Sequence, residues 1–125
     1  MSDHDPAVYL EQIILAARNA TSFVDGLSEA DFLNDVRTQH AVAMSLIVIG
    51  ENGKRLLRKC PRFVGDNPAV QWHRMANMRD RIAHGYEKLH FPIIWQTVRD
   101  DLPSLVDLLE PLLKKLDEAG APDGP

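Results

Sequence analysis

Arg79, His84 and Tyr86 bring a guanidinium, an imidazole and a phenol into the single stretch Arg79-Asp80-Arg81-Ile82-Ala83-His84-Gly85-Tyr86. An imidazole with an ordinary pKa of about 6.5 populates both protonation states near neutrality, so His84 can take or give a proton. The guanidinium of Arg79 is always charged, and its planar fork matches the oxygens of a phosphate. That pairing suits phosphodiester cleavage. A proton carrier can activate the attacking oxygen, and a fixed cation stabilises the charge that develops on phosphate.

Spacing limits what one helix can do with these groups. Five positions of ideal helix rotate the side-chain direction by about 500°, which leaves Arg79 and His84 roughly 140° apart. Asp80 and His84, four apart, do share a face. The alternative is therefore a carboxylate holding a terminal imidazole, with Arg79 and Arg81 as surface charges. Gly85 weakens that alternative: a left-handed glycine here would release His84 from helical geometry, while the helix C-terminus favours a protonated imidazole. Asp80 is placed to orient either His84 or Arg79. Tyr86 has two readings, a phenol beside the substrate or a half-buried packing residue. Glu51 likewise either braces the arginine from a neighbouring helix or pairs with Arg55 at i+4.

The elements that position these groups read as helices. Asp5-Pro6 is a start signal, and Leu10, Ile13, Ile14, Ala17, Ala20 and Val24 recur at three- and four-residue steps until Gly26. Ser28 with Asp31 resembles a capping box for a short turn through Phe32 and Leu33 that closes the core. A central helix is expected over residues 36–58, stopped by Pro61, with a loop over residues 60–67. Asn67-Pro68 repeats the start signal, predicting a helix from there to His84. Pro92 opens a last helical region ending near Glu118, which Pro103 and Pro111 should kink or divide. No segment alternates as a half-buried strand would. The expected fold is all-α, an antiparallel bundle of four to five helices in one domain over residues 1–118, with residues 119–125 as a flexible tail.

Composition narrows the class further. The formal charge of −4 hides a segregation: residues 1–53 carry a net of −6, residues 54–88 a net of +6, and residues 89–125 a net of −4. A basic middle can attract a polyanion because local field, not total charge, governs attraction across a Debye length of about 10 Å. Cys60 is the only cysteine, which excludes an internal disulfide and a cysteine zinc cluster. The five histidines include no pair at i, i+4, so no metal site and no cofactor are expected. Gly50-Glu51-Asn52-Gly53-Lys54 has the wrong spacing for a phosphate loop and belongs to a helix. No nucleophile elbow or dinucleotide fingerprint occurs. The longest apolar stretch, residues 41–49, is far short of a membrane span, and the acidic N-terminus lacks a secretory pattern, so a cytoplasmic location with no membrane partner is expected.

The R-x-x-x-x-H-x-Y spacing resembles the HEPN superfamily, and within it the HepT-type toxins, small helical ribonucleases paired with a minimal nucleotidyltransferase antitoxin. Ala41 to Glu51 resembles the HepT helix that carries an I-G-E motif. Trp72 upstream of Met78-Arg79, and Ile94-Trp95 followed by Leu102-Pro103, are also similar, so the likeness covers about residues 5–116. It implies a HEPN-like bundle acting as a metal-independent endoribonuclease on cellular RNA, with His84 in proton transfer and Arg79 on the phosphorane. It also implies a homodimer in which two motifs face one cleft lined by the basic middle, and a nucleotidyltransferase partner that adds AMP to Tyr86. Its alternative is a non-catalytic, nucleotide-binding or regulatory dimer. Asp80 stands where the family often has Asn, which adds a negative charge against phosphate, and Asn52 stands where Ala is frequent.

Overall fold

A computed structural model describes residues 4–120, apart from the side chain of Tyr86. Its helices are α1 (Pro6–Phe23), α2 (Glu29–Leu33), α3 (Val36–Lys59), α4 (Pro61–Asp66), α5 (Trp72–His84), α6 (Phe91–Gln96) and α7 (Leu102–Gly120). A 3-10 turn over Tyr86–Lys88 links α5 to α6, and a π turn over Thr97–Asp101 joins α6 and α7 into one rod. Among the described residues there is no strand. The fold is all-α, as the periodicity predicts.

Local chemistry sets the starts. The Asp5 carboxylate accepts from the Ala7 amide at 3.0 Å, and Pro6, which has no N–H to satisfy, opens α1. After α1 the chain reverses at Gly26, whose φ of 78° lies in the left-handed region that favours glycine. Ser28 and Asp31 form the reciprocal capping box of α2, with contacts of 3.1 and 3.0 Å. This short helix delivers fully buried Phe32 to the core, edge-on to Phe91 and 5.5 Å from the ring of Trp95.

Helix α3 is central, packed between α1 and α5, while α7 lies along α1. Ile13, Ala17 and Ala20 of α1 are fully buried with Val42, Ile49 and Leu56 of α3 and Val98 and Leu109 of the last rod. Met44, by contrast, is largely exposed, so α3 is not apolar-buried all round.

Five features differ from expectation. Residues 61–66 form a helix rather than a loop, because Pro61 at a first helical position is as good a start as it is a stop. Asn67-Pro68 does not begin α5. Asn67 instead ends α4, its side chain donating to the Phe63 carbonyl at 2.8 Å and its own carbonyl accepting the Trp72 indole N–H at 2.9 Å. Helix α5 begins four residues further on, behind Gln71. Gly85 has φ of −110°, not a left-handed value, since the chain passes directly into the 3-10 turn through the bond from the Lys88 amide to the Gly85 carbonyl. Finally, the last rod is divided near Pro103 alone. The π turn, closed by the Leu102 amide on the Thr97 carbonyl, widens the helix next to a proline that has no N–H for the preceding turn, whereas Pro111 sits inside α7. Helix α7 continues through Gly120, past the expected boundary at 118; the tail residues 121–125 lie outside the described residues.

Candidate functional site

The crossing of α3 and α5 builds the site. At Gly50 the two backbones are in direct contact: a Cβ added there would lie 2.6 Å from the Arg79 Cβ and 2.9 Å from its Cα. One turn on, Gly53 faces Ala76 and Met75, where an added Cβ would meet atoms at 3.2 and 3.3 Å. The two glycines let α5 seat Arg79 directly against α3. The residues of Ile49-Gly50-Glu51 then divide the work, for Ile49 is fully buried in the core, Gly50 clears the crossing, and Glu51 reaches Arg79.

Arg79 is about one-third exposed and held by two carboxylates. Its Nε lies 3.4 Å from Glu51 Oε2, and its Nη1 donates to Asp80 Oδ1 at 3.0 Å. These contacts leave further N–H donors on the guanidinium for a ligand. Lys54, also on α3, donates from Nζ to both oxygens of Asp80, at 2.9 and 3.0 Å. Arg55 stands 4.0 Å from Glu51, so Glu51 faces both of the arginines that the sequence offered it. The cluster thus holds three cations and two carboxylates, a net of +1. The hydrogen bond from Lys54, then that from Arg79, holds the Asp80 carboxyl below its ordinary value.

His84 is exposed at the end of α5, and its contact decides between the two readings of Asp80. The Asp80 carboxylate is turned toward Lys54 and Arg79, while His84 Nδ1 lies 3.2 Å from the Asp80 backbone carbonyl. A carbonyl can only accept, so in the neutral ring Nδ1 carries the proton and Nε2 keeps its lone pair. That is the arrangement a general base requires, produced by main chain rather than by a carboxylate.

Within one chain these contacts do not join Arg79 to His84: the arginine is engaged toward α3, and the histidine is tied to the end of its own helix. The side chain of Tyr86 lies outside the described residues, although its backbone opens the 3-10 turn just beyond His84. Gly85 is required for space: a Cβ there would lie 2.7 Å from the Arg81 carbonyl oxygen. Sequence reasoning missed Lys54 as a member of this cluster. Its signal was available, since Lys54 is four residues, about one helical turn, beyond Gly50.

A groove of about 640 Å³ runs between α5 and the α6–α7 rod, lined by Met75, Met78, Ile82, Leu105 and the basic Arg81. Neither Arg79 nor His84 lines it. Among the described residues no group of three or more histidine, cysteine, aspartate or glutamate side chains is disposed to hold a metal ion. Among them, too, no helix is long and apolar enough to cross a membrane.

Comparison with known proteins bears on the whole assembly. The chain is 37% identical over 106 residues to a protein of Thermococcus cleftensis named as a probable ribonuclease HepT, covering 85% of this chain and 94% of the relative. It is 32% identical over 117 residues to a protein of Methanocaldococcus jannaschii named as a candidate RNase, covering 94% of each. A third relative, from Caldanaerobacter subterraneus and also named as a candidate RNase, is 33% identical over 110 residues, covering 88% of this chain and 96% of its own. No solved structure matches the chain significantly. The family model described as ribonuclease HepT-like matches residues 13–112, a span that takes in the α3–α5 crossing and the whole Arg79 to Tyr86 stretch, and the chain belongs to that HepT-like family of the HEPN superfamily.

Proposed function

We propose that this protein is an endoribonuclease that cuts RNA by transfer to the 2′-oxygen, without a metal ion, and that it is the toxin of a toxin–antitoxin pair. The observation that carries the reading is the pre-set imidazole of His84: its Nδ1 is occupied by a carbonyl that only accepts, which leaves Nε2 free to take a proton. In this scheme His84 Nε2 removes the proton of the 2′-hydroxyl. The 2′-oxygen bonds to phosphorus, the bond from phosphorus to the 5′-oxygen breaks, and a cyclic phosphate forms. Arg79, braced by Glu51 and Asp80, donates to the non-bridging oxygens as the phosphorane gathers charge.

The leaving 5′-oxygen needs a proton, and the described contacts of Arg79 within one chain, to Glu51 and Asp80, include no such carrier. A two-fold homodimer supplies it, because an isologous contact sets the same helix end of each copy across one cleft and places a second His84 opposite the first. Family membership supports such a cleft, and so does the accessibility of an exposed His84 and a partly exposed Arg79. Tyr86, two residues past His84, is the proposed acceptor of AMP from a nucleotidyltransferase antitoxin, whose added charge and bulk would close the cleft to RNA.

The test is direct. Purified protein incubated with RNA and a chelator should yield cyclic phosphate ends, and Arg79→Ala and His84→Ala should each abolish cleavage. Turnover surviving both substitutions ends the proposal, and nucleotide binding without any turnover favours the non-catalytic dimer in its place.

A further inference from the structure

Asp80 is an unexpected neighbour for a phosphate-binding arginine. A carboxylate 3.0 Å from Arg79 Nη1 attracts the guanidinium that RNA must engage and repels the phosphate itself. The same carboxylate, however, takes both of its oxygens to Lys54 Nζ, at 2.9 and 3.0 Å, across the α3–α5 crossing. Its Oδ1 is therefore shared between an ammonium and a guanidinium. Glu51 steadies Arg79 from the other side through Nε.

We propose that Lys54 is a positioning residue for Arg79: by neutralising Asp80 it lets the carboxylate orient the guanidinium without cancelling its attraction for an RNA phosphate. The inference rests on the reading that Arg79 meets RNA. Asp80 then acts as a geometric brace and not as a competing anion. All three side chains are partly exposed, so the expected effect is modest and sensitive to salt. The lowering of the Asp80 carboxyl, caused first by Lys54, is in keeping with Lys54 as its main partner.

The coupling can be measured on intact protein with a fluorescent single-stranded RNA whose 2′-hydroxyls are methylated, which binds but cannot be cut. Lys54→Met should weaken binding about fivefold, and Lys54→Arg should retain it, because a guanidinium can still satisfy both Asp80 oxygens. The decisive comparison is non-additivity. Asp80→Asn should tighten binding several-fold more in the Lys54→Met background than in the wild type, because the carboxylate repels phosphate only when Lys54 is gone. If the double variant binds as weakly as Lys54→Met, Lys54 touches RNA directly and the positioning role is wrong, while the nuclease reading stands. If the cycle behaves as expected but unmodified RNA is never cut by the wild type, the nuclease reading fails and the role of Lys54 survives.

Discussion

Gly50 of α3 and Arg79 of α5 meet backbone to backbone, so close that a single added methyl group would lie 2.6 Å from the arginine's Cβ. Position 50 therefore controls where the guanidinium sits. Gly50→Ala should destabilise the fold by about 2–3 kcal/mol, because neither helix backbone can move aside cheaply. Gly53→Ala, whose nearest contacts are 3.2 Å and partly to flexible Met75, should cost less. Gly65→Ala, in α4 with nothing within 4 Å, should be neutral or stabilise by up to about 1 kcal/mol. Urea midpoints of the three variants check the order, and a Gly50→Ala protein as stable as Gly65→Ala would disprove the close crossing.

That crossing also shows how far the sequence could be read. Helical periodicity located α1 and α3 to within a residue or two, because one-sided apolar faces must be buried and the caps at Asp5 and Ser28 have local signatures. The span of residues 60–71 was misread because Pro61, Gly65 and Asn67-Pro68 are ambiguous locally. Packing of Trp72 against Phe63, with its indole on the Asn67 carbonyl, decides there, and such contacts leave no periodic trace. At the site, residue types named Arg79, His84, Asp80 and Glu51. Partners did not follow from spacing. Asp80 and His84 share a face, yet the carboxylate goes to Lys54, twenty-six residues away, because the close α3–α5 crossing brings that cation within hydrogen-bond reach.

The tautomer of His84 gives a second prediction. In His84→Asn the amide can still donate to the Asp80 carbonyl but cannot accept and later release a proton. RNA cleavage should fall by at least about a hundredfold, the usual scale for loss of a general base. Helix content and RNA binding should change little, because His84 is exposed and its one described contact is retained. Nitrogen NMR on the wild type checks the premise independently: in the neutral ring the proton should reside on Nδ1, and an Nε2–H signal would contradict it.

Acid should loosen the α3–α5 crossing in a defined direction. The Asp80 carboxyl is lowered from 3.8 by the hydrogen bonds from Lys54 and Arg79, so folding favours the charged form. The resulting stability is fully present above the unfolded value and disappears as the pH falls through the lower folded one. Asp35, which caps α3 by accepting from the Thr38 hydroxyl and amide, is lowered likewise and adds a loss of the same sign. The stability gap between wild type and Asp80→Asn should hold steady from neutrality down to about pH 5 and shrink below about pH 4. Urea titrations at several pH values would show it, and a gap that widens in acid would reverse the assignment.

Asn52 supplies the last prediction, from a polar side chain that the core does not fully accommodate. It is 4% exposed, and its Nδ2 donates to the Val48 carbonyl at 2.9 Å. Its Oδ1 is buried with no donor among the described residues. A buried acceptor left unpaired costs about 1–3 kcal/mol, more than the single back-bond to Val48 returns. Asn52→Ala removes the orphaned oxygen, improves helix propensity in the middle of α3, and leaves only a small void. The variant should unfold at a higher temperature than the wild type, by a few degrees. Because Asn52 adjoins Glu51 but shares no hydrogen bond with it, RNA cleavage should be unaffected, so a melting temperature that drops would mean that Asn52 Oδ1 has a partner holding α3 in place.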